Sequence, residues 1–281
     1  NTGIGDDTIT GVASGSVYGP SSGILNYYGS INTGRGNDII TGKGDYGIDN
    51  SGTINSGIGH DTITGFGGIG NSGIINTGSG DDSFTGKGYV DGIDNGGIIN
   101  TGRGNDSITG DAGGYGIYNS YSINTGSGND TIKGIGNQAG ISNVDTINTG
   151  DGNDSITGTT IYGDAGISNR GAINTGIGND TITGVSYQND WPSGGIFNNY
   201  LGSINTGIGD DTITGVATGS AYGSPNSGIY NDGTINTGDG SDIVNALKGG
   251  FAGDGKTYLD AGDDTLKGFG EGRFYGGTGI D

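Results

Sequence analysis

Large apolar residues stand singly in this chain, each between polar or glycine neighbours, and they fall into three recurring rows. One row is Ile31, Ile54, Ile75, Ile99, Ile123, Ile147, Ile173, Ile204 and Ile235. A second is Ile9, Ile40, Ile63, Phe84, Ile108, Ile132, Ile156, Ile182, Ile213, Val244 and Leu266. The third is Ile24, Ile48, Ile69, Ile93, Ile117, Ile141, Ile167, Ile196 and Ile229. Side chains alternate across a strand, so one aliphatic residue between polar neighbours predicts a short strand with one inward position. Residues 92–110 show the unit: Gly-Ile-x-Asn-x-Gly-x-Ile-Asn-Thr-Gly-x-Gly-x-Asp-x-Ile-Thr-Gly, with three such strands. Isoleucine, branched at Cβ, suits a stacked pleated surface. No unit holds enough apolar residues for a core, but stacked units share a narrow continuous one. Two residues after the third row stand Asn26, Asn50, Asn71, Asn95, Asn119, Asn143, Asn169, Asn198 and Asn231, with the same inward parity. A ladder of amides bonded to each other and to turn backbone is expected there.

The unit repeats with a variable period. Its motif Asp falls at Asp7, Asp38, Asp61, Asp82, Asp106, Asp130, Asp154, Asp180, Asp211, Asp242 and Asp264, at intervals of 21 to 31 residues. Such periods mark a solenoid. The predicted fold is an all-β, right-handed parallel β-helix of ten to eleven coils, three-sided and without α-helices. It forms one elongated unit over 1–281, regular over 1–242 and divergent over 243–281. The loop after Thr-Gly is the variable part, from Phe66-Gly67 alone to the twelve residues 216–227. Many tyrosines lie in or beside these loops: Tyr18, Tyr46, Tyr89, Tyr115, Tyr162, Tyr187 and Tyr222, with Trp191. Such rings either cover loop backbone or offer a surface to sugars or another protomer.

Composition narrows the function. Glycine supplies 70 of 281 residues without a three-residue period, which excludes collagen. There is no cysteine, so neither disulfides nor thiolate metal sites are available. The formal net charge of −20 argues against nucleic-acid partners. No run is long enough for membrane insertion, and no signal-peptide pattern opens the chain. Half of the 30 acids belong to the repeated turn, as its eleven motif aspartates and the preceding Asp6, Asp81, Asp210 and Asp263. Coils stacked about 4.8 Å apart would line these carboxylates up in a row that needs cations between its members. One divalent ion in each of the ten gaps would bring roughly +20.

The turn resembles the RTX, or haemolysin-type, calcium-binding nonapeptide Gly-Gly-x-Gly-x-Asp-x-U-x, where U is a large apolar residue. The resemblance implies Ca²⁺ between successive turns, held by turn carbonyls and the motif aspartates. It also implies a secreted protein of a bacterial cell surface. The matching glycines are Gly3 and Gly5, Gly34 and Gly36, Gly57 and Gly59, Gly78 and Gly80, and Gly102 and Gly104. They continue as Gly126 and Gly128, Gly150 and Gly152, Gly176 and Gly178, Gly207 and Gly209, and Gly238 and Gly240. The chain departs from the nonapeptide in carrying Thr2, Thr33, Thr77, Thr101 or Ser56 at its first position. It also has one motif per coil, which places calcium on one edge only. The last turn reads Asp260-Ala261-Gly262-Asp263-Asp264, which puts its site in question. The tail Gly276-Gly277-Thr278-Gly279-Ile280-Asp281 fits either the start of the nonapeptide or Gly-Ile-x-Asn.

The function read from these features is a calcium-stabilised extracellular structural or fibre-forming solenoid. Head-to-tail self-association is expected, reinforced by Tyr27, Tyr28, Trp191, Tyr200 and Tyr230, unless the native chain continues past both termini. A surface polysaccharide is a further candidate partner. One alternative is an ice-binding face built from pairs such as Thr8/Thr10, Thr62/Thr64, Thr181/Thr183 and Thr212/Thr214, which Ile39 and Lys133 interrupt. Another is a non-catalytic module of a secreted polysaccharide-active enzyme. The only histidine, His60, sits where other turns have Asn, Asp or Ser and is read as a turn residue. Repeated carboxylates suit metal binding better than acid–base catalysis, which needs a unique site, so no catalytic residue is assigned.

Overall fold

The computed structural model describes residues 1–14, 20–187, 194–218 and 226–280. Among these are thirty-three short strands and no helix. They form three sheets of twelve, eleven and ten strands, and every third strand in sequence is a neighbour in space. All pairings are parallel and in register, as in Ile31 beside Ile54 and Ile108 beside Ile132. The result is a three-sided parallel β-helix, as the apolar rows predict. Twelve stacked strands span about 50 Å. Tyr18, Trp191, Tyr222 and Asp281 lie outside the described residues.

The first sheet collects the Ile-Asn-Thr-Gly segments, from Gly3–Ile4 to Arg273–Tyr275. The second collects the x-Ile-Thr-Gly segments, from Thr8–Val12 to Thr265–Lys267. The third collects the Gly-Ile-x-Asn segments, from Ser22–Asn26 to Phe251–Ala252. The three rows of isoleucines fill the interior, and from Ile40 to Ile235 nearly all are sealed from water. Towards the C-terminus the rows continue with larger or less regular residues: Phe251 pairs with Ile229, and Phe274 follows Thr257 on the first sheet. Phe251 and Phe274 meet edge to face, with ring centroids 5.1 Å apart. Strands there shorten to two or three residues after Ile243–Leu247.

The asparagine ladder is present. Asn95 Nδ2 donates to Asn119 Oδ1 at 2.8 Å, and Asn119 Nδ2 to Asn143 Oδ1 at 2.8 Å. The same amides donate across the corner to main-chain oxygens, as Asn119 does to Thr146 O at 2.9 Å. Each buried amide is thereby satisfied by its neighbours in the stack.

Glycine has two separate jobs. In the motif turn, Gly57 and Gly59 have φ of +113° and +142°, which side chains disfavour, and a Cβ on either would strike the carbonyl of Gly34 or Gly36 one coil back. A second set is not explained by positive φ. Gly110 and Gly116 have ordinary backbone angles, yet a Cβ on Gly110 would collide with the Gly116 carbonyl. Gly86 meets Gly92 in the same way. The second and third sheets therefore converge backbone to backbone just before the variable loop.

Candidate metal-binding turns

The motif turn joins the first sheet to the second. Strand Ile98–Arg103 ends at Arg103, strand Ser107–Ala112 starts at Ser107, and Gly104-Asn105-Asp106 form the bend. Alternation turns Thr101 and Ile108 inward on the two sides. The motif aspartate also points inward: from Asp38 to Asp242 each is no more than 2% exposed. The carboxylate row predicted for one edge thus runs beneath the turn and not on its surface.

From Asp38 to Asp242 each carboxylate has one oxygen engaged and one free of donors. Oδ1 accepts the backbone N–H of the motif aspartate one coil back, as when Asp106 N donates to Asp130 Oδ1 at 2.8 Å. The ladder runs without a break from Asp7 N on Asp38 to Asp242 N on Asp264. Oδ2 of Asp7, Asp38, Asp61, Asp82, Asp106, Asp130, Asp154, Asp180, Asp211 and Asp242 is buried and receives no hydrogen bond. The Thr125 hydroxyl lies close to the Asp130 carboxylate, but its proton goes to Thr149 O one coil ahead, at 3.2 Å. The same use of the hydroxyl recurs at Thr33, Ser56, Thr77, Thr101, Thr149, Thr175 and Thr206.

Burial without donors changes the acid strength. The carboxyls of Asp82, Asp130 and Asp211 are pushed up to about 6, chiefly by burial. The carboxylates one coil away on both sides push Asp130 the same way, while the Asp106 N–H opposes the rise. Asp61, Asp106, Asp154, Asp180 and Asp242 also shift upward, again with burial as the largest cause. A buried carboxylate oxygen in this state calls for a proton or a cation.

Compared with known proteins, the chain matches no protein-family model, no curated protein and no solved structure. The chemistry of the turn is therefore read from its own atoms. Among the described residues, the motif glycine carbonyls of Gly36, Gly59, Gly80, Gly104 and Gly128 accept no hydrogen bond. Among the described residues, no three His, Cys, Asp or Glu side chains converge as a metal-holding group. The carboxylates are a line, one per coil, so an ion between coils would draw the rest of its shell from carbonyl and hydroxyl oxygens. That all-oxygen donor set fits a hard cation that accepts flexible geometry, and it does not suit zinc.

The residue before the motif aspartate builds a second ladder, on the outside and in the opposite sense. Asn105 Oδ1 accepts the N–H of Asn129 one coil ahead at 2.8 Å, and Asp81 Oδ1 accepts that of Asn105 at 2.7 Å. His60 takes the same place, its Nδ1 accepting the Asp81 N–H at 2.9 Å. A short side-chain acceptor is what this position needs, which accounts for its restriction to Asn, Asp, His and Ser. His60 is a turn residue, as read from its position.

The degenerate turn keeps the main features. Asp260 stands where Gly238 stands one coil earlier and adopts φ +57°, while Asp264 Oδ1 still accepts the Asp242 N–H. The tail resolves in favour of the motif reading: Thr278 pairs with Ala261, and Ile280 N donates to Asp263 Oδ1 at 3.1 Å. Gly277-Thr278-Gly279-Ile280 is thus a twelfth turn. Two features went unread in the sequence. The buried Thr/Ser hydroxyl ladder was visible as a hydroxyl residue before the first motif glycine of ten turns, from Thr2 to Thr237. The second is an outward asparagine column on the first sheet, where Asn100 donates to Asn76 at 3.0 Å and Asn148 to Asn124 at 2.9 Å.

Proposed function

We propose that the protein is a calcium-stabilised structural solenoid that works outside the cell, with ions between successive motif turns. The observation that carries this reading is the row of buried Oδ2 atoms with no donor. Protonating all of them at neutral pH would oppose their acid strength, whereas a divalent ion satisfies two coils at once. The candidate ligands are the motif aspartates and the adjoining glycine carbonyls, such as Asp106, Asp130, Gly104 and Gly128. Calcium would supply charge and coordination only; the turn residues supply shape and exclude water. Calcium also offsets the formal charge of −20. The RTX-like turn and the lack of cysteine support a secreted, cell-surface setting, and the repetition supports a scaffold role without catalysis. The test is calorimetric titration of EGTA-stripped protein with calcium chloride, with magnesium chloride as the comparison. Several calcium sites, a rise in melting temperature and weaker magnesium binding are expected. Absence of heat together with an unchanged melt in calcium would refute the proposal.

A second reading, ice binding, is favoured by one observation. On the second sheet Thr10, Thr41, Thr64, Thr85 and Thr109 form an unbroken outward column in register. Ile39 in the companion column and Lys133 at the next coil interrupt the surface. An ice-recrystallisation assay in calcium decides it, and a Thr64→Lys protein as active as the parent would reject it.

A further inference from the structure

The outer face of the third sheet is unlike the other two. Where they carry columns of Thr or Asn, its outward column reads Asp49, Gly70, Asp94, Tyr118, Ser142 and Ser168, all in register. It goes on to Phe197 and Tyr230, whose rings stack 4.7 Å apart and 4° from parallel. Two depressions lie along this column. One, of about 580 Å³, includes Tyr46, Tyr89, Asp91 and Asp94 in its lining. The other, of about 480 Å³, includes Tyr118, Asn137, Gln138, Ser142, Tyr162 and Ser168. Asp94 and Tyr118 are strand neighbours, so the two depressions lie side by side along the column. From Gly70 to Ser168 the column spans four strand steps, about 19 Å. The variable loops, carrying Tyr89 and Tyr162, form a wall on one side, and Val144 and Arg170 flank the other end.

We infer that this trough binds an extended, uncharged oligosaccharide. The rings offer flat apolar faces: Tyr46, Tyr89 and Tyr162 are 48%, 92% and 71% exposed, and Tyr115 and Tyr118 lie 5.4 Å apart. A sugar ring has an apolar C–H face and a rim of hydroxyls, so it needs stacking surfaces interleaved with groups that both donate and accept. Ser142, Ser168, Asn137 and Gln138 are such groups. Charge selects among sugars. The two linings hold Asp45, Asp91, Asp94 and Asp164 against the single base Arg170. A uronate, sulfated or phosphorylated chain would be repelled, whereas a neutral chain would not. A protein partner would call for a contiguous apolar centre, and the aliphatic side chains of the linings are few and separated.

The inference does not depend on calcium binding. The experiment is calorimetric titration of the full chain, in calcium and in EGTA, with cellohexaose, maltohexaose and hexa-N-acetylchitohexaose, and with hexagalacturonate as the charged comparison. At least one neutral hexasaccharide should bind with sub-millimolar affinity, and hexagalacturonate should not. Tyr118→Ala should weaken binding by about tenfold, the worth of one lost ring contact. Tyr162→Ala, on an exposed loop away from the core, should do likewise with an unchanged melt. Tyr275→Ala on the first sheet should bind as the parent does. No binding of any neutral probe, equal binding of hexagalacturonate, or binding that neither trough substitution reduces would overturn the inference.

Discussion

Asp130→Asn separates the two ways of satisfying the buried row. Asparagine keeps Oδ1 as the acceptor for the Asp106 N–H and replaces the unsatisfied Oδ2 with an uncharged amide. The Asp130 carboxyl is raised from 3.8 to about 6 in the folded chain, so the folded state holds the proton more tightly than the unfolded one. The stability this lends is fully present below pH 3.8 and is lost as pH rises through about 6. At about 1.4 kcal/mol per unit, the loss approaches 3 kcal/mol as a ceiling, because the row lies only one residue layer beneath the turn surface. In EGTA, therefore, parent and Asp130→Asn should be nearly equal at pH 4. The variant should be more stable by about 1–3 kcal/mol at pH 7.5. In millimolar calcium at pH 7.5 the order should reverse, since the amide is a poorer ligand for a hard cation. Urea denaturation followed by circular dichroism reads the first comparison. Hydrogen exchange at the Asp106 amide reads it locally, which matters in a solenoid whose coils open in part. If the parent remains the more stable protein at pH 7.5 in EGTA, the carboxylate row is not strained and the argument for a cation fails.

Four other substitutions test the stack. Ile132→Ala deletes most of a fully buried side chain and should cost about 2–5 kcal/mol, measured by urea midpoint; a loss under 1 kcal/mol would mean that the narrow core collapses around the gap. Asn119→Ala strands the Asn95 donor and the Asn143 acceptor, at about 1–3 kcal/mol for each group left unmet. By the same assay Asn76→Ala, on the outer column where water replaces the lost partner, should cost under 1 kcal/mol. His60→Asn should leave stability within about 0.5 kcal/mol by urea midpoint. The amide oxygen replaces Nδ1 as the acceptor of the Asp81 N–H, and a loss above about 1 kcal/mol would contradict the ladder.

Inward rows of isoleucine and asparagine were legible because strand parity repeats without error in each unit. The motif turn was legible for the same reason, down to the register of the degenerate copy at Asp264. What stayed hidden depends on direction in space. Spacing alone does not say that the motif aspartate points beneath the turn, nor that one of its oxygens caps the coil behind. Thr101 looked like a departure from a glycine because its hydroxyl partner lies 24 residues away. The tail was ambiguous because Gly-Ile begins a third-sheet strand and also lies near the end of a turn; pairing of Thr278 with Ala261 decided it. The tyrosines of the trough could be read as a surface open to sugars, but its floor could not, since Asp94 and Tyr118 become neighbours only when coils stack.

The backbone contact between Gly110 and Gly116, repeated as Gly86 against Gly92, closes each coil before the chain leaves for its loop. The residues next to the two glycines, such as Asp111 and Tyr115, still pair with neighbouring coils, and the chain between them is free to vary. That clasp explains how coils keep register while the stretch between the paired glycines varies in length from two residues (66–67) to twelve (216–227). In evolutionary terms the loop is a replaceable cassette: its length and chemistry can drift, or be grafted from another coil, while the scaffold keeps its pitch.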